Sequence, residues 1–265
     1  MEEMLKPAEF VESYSSIGAK KAQMSLSRLM LLSVLAGFLI GMGGAVTNTA
    51  SHMISNTSAV KLISGMLFPF GLIMVLFMGA ELFTGNCLIT ISVMDRKATW
   101  LGMLRNLVTV YLGNCLGAIT LAWACVYSGQ LDHSGGQLAA WTIQVAATKC
   151  SIPFGKSVVL GVLCNILVCA GVMCGLCGKS ASGRAIGAFV PVAFFVICGF
   201  EHCVANMYYI PSGLFALSEY GELAVGARSL TWSNFALRNL LPVTIGNILG
   251  GCGFGMLIWL SHKEK

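Results

Sequence analysis

The sequence predicts an all-α membrane protein of six transmembrane helices, built as two inverted three-helix repeats whose second and fifth spans are broken. Three observations carry that prediction. Of 265 residues, 56% are hydrophobic and only 10% charged, too few charged groups to cover a water-soluble globule of this size. Runs with few or no charges fall at 29–47, 62–80, 106–131, 157–178, 185–200 and 239–261, most of them near the ~20 helical residues that cross the hydrocarbon. Finally, a motif recurs with the same internal spacing. Arg105-Asn106-Leu107 and Gly113-Asn114-x-Leu116-Gly117 in the third run return as Arg238-Asn239-Leu240 and Gly246-Asn247-x-Leu249-Gly250 in the sixth.

Thr99-Trp100 is matched by Thr231-Trp232 with one residue inserted, and Gly79-Ala80-Glu81 is echoed by Gly199-Phe200-Glu201, so each half holds three spans. An odd number per half forces the second copy to enter from the opposite side. The halves are then related by an axis in the membrane plane, and such folds place their site at the repeat interface. The expected organisation is a single transmembrane domain: 1–27 a cytoplasmic amphipathic segment, 28–131 the first repeat, 141–265 the second.

Residues 1–27 open with Glu2 and Glu3 and lack an apolar region followed by a small-residue cleavage site, so a cleaved leader is not expected. Phe10, Tyr14 and Ile17 recur there at helical spacing among Glu9, Glu12, Lys20 and Lys21, the pattern of a short helix lying on the membrane, read as a surface anchor ahead of a gate. Lys6, Lys20, Lys21, Arg28, Arg96, Lys97, Arg105, Lys179, Arg184, Lys263 and Lys265 share one side if the amino terminus is cytoplasmic. Lys61, Lys149, Lys156, Arg228 and Arg238 are left for the other side. The expected location is the inner (cytoplasmic) membrane, multi-pass, with both termini cytoplasmic.

The net charge of +5 belongs to those cytoplasmic loops, and with no basic stripe of interleaved aromatics, nucleic acid is not an expected partner. Eleven cysteines, an odd number, are mostly spread through the apolar runs, which is not the layout of a secreted disulfide framework. Cys174-x-x-Cys177 has neither a second pair nor a nearby histidine, so no metal or cofactor is expected.

The breaks collect the informative polar residues. Glu81 and Glu201 each end an apolar run, and are followed by Thr84-Gly85-Asn86 and by Ala205-Asn206 with Pro211 downstream. A carboxylate at that depth costs roughly 2.5–3.5 kcal/mol on insertion scales, so both are read as structural braces tied to freed backbone N–H groups or a neighbouring Asn. A restarting half-helix also presents unpaired N–H groups and a positive dipole end, which favours an anion.

His202, beside the second break, is the one histidine expected at that depth. It either fills a polar hole as a neutral imidazole or gives a hydrogen bond or proton to a passing weak-acid anion. Thr84, read as the matching place in the first half, either caps the restarting half-helix or fixes the imidazole tautomer and touches the permeant. Lys149 precedes Ser151-Ile152-Pro153, read as a helix start, where a cation opposes the dipole; that suggests anion bait. Lys156 ranks behind it, being able to snorkel to the headgroups. Asn165 should point to the repeat interface, either lining a path or packing helices. Phe68, Leu72, Leu82, Phe83, Val168 and Phe195 surround these groups in sequence, as apolar slits that exclude hydrated ions or as ordinary packing.

Glu81-Leu82-Phe83-Thr84-Gly85-Asn86, the segment from Lys149 to Cys164-Asn165, and Glu201-His202-x-x-x-Asn206-Met207 resemble the formate/nitrite transporter family, over essentially all six spans. By overall likeness the hydrosulfide channel branch is nearest. The resemblance implies an aquaporin-like protomer, a homopentamer with one pore per protomer, and passive or proton-linked movement of small monovalent anions. Hydrosulfide leads that list, with formate, nitrite and chloride compatible. Carried over by position, His202 and Thr84 become the central hydrogen-bonding pair, Lys149 the anion-attracting lysine, and Asn165 and Asn206 polar pore-lining partners. Phe68, Leu72, Leu82, Phe83, Val168 and Phe195 become the constrictions.

A transporter is therefore expected, not an enzyme. Two other classes compete. A neutral-solute pore like a water channel suits the same fold, but the lysine counts against it. A membrane subunit of a redox enzyme, with His202 as axial haem ligand, needs a second histidine on a facing helix, and His52, His133 and His262 fall in loops or at a terminus.

Overall fold

The structure, a computed structural model, describes residues 4–221 and 227–263; Glu2, Glu3 and Lys265, used in the leader and charge readings above, lie outside them. In the first half, α1 (Pro7–Gln23) and α2 (Leu26–Ser51) lead into a bent pair, α3 (Thr57–Leu67) and α4 (Pro69–Phe77). After a break come the short α5 (Phe83–Asn86) and α6 (Ile89–Met94), then α7 (Trp100–Tyr127). The second half repeats the order with α8 (Gln137–Ser151), α9 (Phe154–Cys177), α10 (Ala181–Cys198) and, after its break, α11 (Cys203–Glu219). It closes with α12 (Trp232–His262), which carries a π-helical stretch at Phe235–Leu240.

Among the described residues, six stretches are long and apolar enough to cross a membrane: α2, the α3–α4 pair, α7, α9, α10 and α12, overlying the six predicted runs. Their packing is matched under exchange of the halves. α2 lies on α7 as α9 lies on α12, α1 on α6 as α8 on α11, and α11 on α7 as α6 on α12.

Both breaks use the same backbone device. α4 and α10 end in turns where Gly79 and Gly199 take φ of +64° and +73°. Glycine reaches that left-handed region without the Cβ penalty, so the helix stops there and its last carbonyls are capped. The paired helices also approach closely: a Cβ at Gly117 would stand 2.0 Å from the Val34 carbonyl oxygen, and one at Gly246 would stand 2.1 Å from that of Val158. Small residues at such crossings let backbones touch where lipid supplies no hydrophobic drive.

One expectation is corrected. The apolar face of α1 does not lie on lipid: Phe10 and Tyr14 are buried, with their rings 5.4 Å apart, and the helix packs on α6. The Ser92 hydroxyl donates to the Tyr14 carbonyl at 3.3 Å, and the Tyr14 hydroxyl reaches the Gly85 carbonyl at 3.5 Å, inside the first break. A period of 3.6 marks a buried face and a lipid-facing one alike, which is why the sequence misled.

A polar cluster fastens this helix. Asp95, after α6, accepts from Ser15 of α1 at 2.6 Å and lies 2.6 Å from Lys263 and 3.4 Å from Lys97. Burial alone would raise its carboxyl, but the hydrogen bonds from Lys263, Ser15 and Lys97 outweigh that and hold it at about 2. A carboxylate with a depressed folded value contributes fully above its unfolded value of ~3.9 and loses its contribution as pH falls toward the folded one.

Hydrogen exchange of α1 should therefore stay slow at neutral pH and quicken only below about pH 4; Asp95→Asn should show the fast exchange already at pH 7. Separately, Gly117→Val and Gly246→Val overpack the helix crossings and should each cost ~1–3 kcal/mol or more, read as a lower thermal midpoint in detergent.

Candidate functional site

Each break is held by the same polar frame. In the first, the Lys21 ammonium donates to Glu81 Oε1 at 2.8 Å and to Asn86 Oδ1 at 3.0 Å. Asn86 Nδ2 donates to Glu81 Oε2 at 2.7 Å and Asn106 Oδ1 at 2.8 Å, and Asn106 Nδ2 returns to the Lys21 carbonyl at 2.9 Å. In the second, Lys149 donates to Glu201 Oε1 at 2.7 Å, and Asn206 Nδ2 donates to Glu201 Oε2 and Asn239 Oδ1, both at 2.7 Å. Asn239 Nδ2 closes that ring on the Lys149 carbonyl at 3.0 Å.

A further asparagine in each half takes up the freed backbone. Asn114 donates to the carbonyls of Ser33 (2.7 Å) and Glu81 (2.9 Å) and accepts the Phe83 N–H at 2.9 Å. Asn247 does the same with Gly161 (2.8 Å), Glu201 (3.0 Å) and the Cys203 N–H (2.9 Å). Groups that lose their intrahelical partners at a break are thus satisfied without water, as their depth requires.

Two sequence expectations change here. Lys149 does not precede a helix start. It sits in the last turn of α8, where a cation suits the dipole, and the next helix begins only at Phe154. Nor is it an unpaired bait, since Glu201 holds it. Thr84 is likewise not the counterpart of His202. Counting from Glu81 and Glu201, His202 matches Leu82 and Thr84 matches Val204.

His202 caps α11: its Nδ1 accepts the Ala205 N–H at 3.0 Å, while Nε2 lies 2.9 Å from Thr84 Oγ1. With Nδ1 accepting, the neutral ring carries its hydrogen on Nε2. Thr84 Oγ1 is then the acceptor, and its own hydroxyl hydrogen remains to be donated. Thr84 does not cap α5, which has no side-chain cap. The Phe195 ring stacks on the imidazole (centroids 5.9 Å apart, planes 20° apart), and Phe68 meets Phe195 edge-on at 5.8 Å.

A cavity of about 400 Å³ runs from the α2–α3 and α8–α9 turns down to these rings. Of the expected residues, Lys149, Glu201, His202, Asn206, Phe68 and Phe195 line it. Thr84, Asn165, Leu72, Leu82, Phe83, Val168 and Glu81 are not in its wall, and all are buried. Asn165 Nδ2 donates to the carbonyls of Thr84 (3.2 Å) and Asn247 (2.6 Å), bracing the first break from α9. Phe83 lies edge-on to Tyr111 of α7 at 4.9 Å.

Several members of the site went unread in the sequence. Lys21 looked like one of many cytoplasmic basic residues, and Tyr209, whose ring centroid lies 5.4 Å from the Lys149 ammonium, carried no signal. Asn106 and Asn239 were visible as the repeated motif, without their task. The frames differ in two bonds: Asn86 Oδ1 accepts from Lys21, whereas Asn206 Oδ1 is buried without a protein partner among the described residues, and Asn239 Nδ2 also donates to Glu201 Oε2 at 3.3 Å.

The family profile described as "Formate/nitrite transporter" matches residues 8–261. This chain belongs to the formate/nitrite transporter family. It is 34% identical to the "Probable formate transporter" of Methanothermobacter thermautotrophicus, over 98% of this chain and 97% of that one. It is equally identical, 34%, to the "Formate channel FocA" of Escherichia coli strain K12, over 98% and 94%. A solved structure titled "Pentameric formate channel with formate bound" superposes with a TM-score of 0.79 at 33% identity, covering 92% of this chain and 98% of that chain. The family assignment and six-span fold expected from the sequence agree with these findings. The hydrosulfide branch finds no specific support in them.

Within this transporter fold the second frame is testable by stability. Glu201→Ala strands the Lys149 ammonium and two asparagine amides, and should cost ~3–5 kcal/mol in thermal unfolding. Glu201→Gln, which keeps an acceptor, should cost less.

Proposed function

We propose that the protein is a channel for small monovalent anions, formate first among them, working as a homopentamer in the inner membrane with both termini cytoplasmic. The observation that carries this reading is the His202–Thr84 pair at the inner end of the cavity: the imidazole holds Thr84 Oγ1 as acceptor and turns the threonine hydroxyl into a donor for the permeant. A donor polarised by a second hydrogen bond in a low-dielectric site binds an anion more strongly than it would in water. Phe68 and Phe195 strip hydration before the anion reaches that donor, and Asn165 keeps the Thr84 backbone in place. Leu72, Leu82, Phe83 and Val168, buried outside the cavity wall, serve as packing, and Glu81 and Glu201 are the braces.

The geometry favours passive hydrogen-bonding passage over proton donation by His202. An imidazolium carries hydrogen on both nitrogens, and its Nδ1–H would oppose the Ala205 N–H that it now accepts. Formate leads because the relatives' names support it. Hydrosulfide, nitrite and chloride have the same charge and comparable size, and remain in the panel. The matched lysine frames support drawing the first repeat from α1 onward, within one channel domain, in place of the expected start at residue 28.

Flux of formate, hydrosulfide, nitrite, chloride and water through reconstituted protein, at several pH values, tests the reading. Anion flux should dominate. His202→Ala should lower formate flux about tenfold or more, the scale of one hydrogen bond to a charge, while His202→Asn, with both an acceptor and a donor, should retain part of it. Dominant water flux, or formate flux untouched in His202→Ala, overturns the proposal.

A further inference from the structure

We infer that Lys61 is an anion-capture site in the outer cavity, separate from the Lys149–Glu201 pair; the inference rests on the anion-channel reading above. Three charged side chains line the cavity: Lys61, Lys149 and Glu201. Lys149 and Glu201 face each other at 2.7 Å and cancel at any distance an approaching anion would sense. The net positive charge of the cavity therefore resides on Lys61. Its ammonium makes no hydrogen bond or ion pair to another described side chain, so it meets an anion without first giving up a partner.

The position is built into the fold twice over. Thr57, Lys61, Ser64 and Phe68 all line the cavity and recur every three to four residues, so one face of α3 descends from the ammonium past a hydroxyl to the aromatic slit. At 1.5 Å of rise per residue, Lys61 stands about 10 Å above Phe68, near enough to hand an anion on.

At the other end of its side chain lies Gly199. A Cβ there would stand 2.9 Å from the Lys61 Nζ, so the ammonium rests against the turn that ends α10. The carbonyl end of that helix, the negative pole of its dipole, favours a cation there with a partial charge, without neutralising it as a carboxylate would. The first-half counterpart, Gly79, has nothing within 4 Å of its virtual Cβ. The cation at the turn is thus a property of one mouth of the path and not of the repeat. A single fixed positive charge with a hydroxyl below it suits a monovalent anion of formate size. A cleft carrying one sign of charge raises the local concentration of its counter-ion.

The test compares formate flux through the reconstituted wild type, Lys61→Gln and Lys61→Arg across formate concentration and ionic strength. Lys61→Gln should raise the half-saturating formate concentration about tenfold, flatten the salt dependence at low formate, and leave maximal flux near wild type; Lys61→Arg should restore both. Lys61→Cys gives a second route. Modification with an aminoethyl methanethiosulfonate should return the half-saturation toward wild type, and the neutral methyl reagent should not. Wild-type half-saturation and salt dependence in Lys61→Gln, or equal rescue by the neutral reagent, overturns the inference while the channel reading stands. Absence of anion flux in the wild type overturns the channel reading itself.

Discussion

Everything else in this protein depends on two carboxylates being tolerable inside a membrane. A bare Glu81 or Glu201 at that depth would cost kilocalories, and the breaks they accompany would leave backbone groups unpaired. The frames remove both costs together. Each carboxylate receives an ammonium and an asparagine amide, and a second asparagine receives the loose ends of the chain. Because nearly every partner is committed, the two half-helices are held in fixed positions, and a side chain at a break points in one direction only.

That rigidity lets two alike halves differ in chemistry. The position after the glutamate is Leu82 in one half and His202 in the other. The imidazole does structural duty by capping α11 and at the same time prepares Thr84 from the opposite half. The His202–Thr84 contact therefore spans the interface of the repeats and belongs to neither.

Much of this was legible in the sequence, for physical reasons. The six spans follow from run length and charge scarcity, and the inversion from an odd number of spans per repeated motif. Glu81, Glu201 and His202 stood out because ionisable groups are rare in apolar runs. Tertiary pairing stayed hidden. Nothing in the spacing says that Lys21 reaches Glu81 sixty positions away, or that Lys149 ends a helix and does not precede one. The burial of Phe10 and Tyr14 was equally invisible, because a lipid-facing stripe and a protein-facing stripe share one periodicity. Of the apolar candidates, Phe68 and Phe195 reached the cavity wall while Phe83 turned to Tyr111, a choice made by packing across helices distant in the chain.

The first frame has a bearing on biosynthesis. Its members enter the membrane in order: Lys21 with α1, Glu81 and Asn86 at the break, and Asn106 with the last span of that half. Until α7 is in place, the asparagine that links Asn86 to the Lys21 backbone is missing, and the broken segment lacks its support. The first half is thus the smallest unit in which every member of that frame finds its partner. A ribosome delivering this chain completes one frame before the second begins, and each half arrives already carrying its own cation for its own carboxylate.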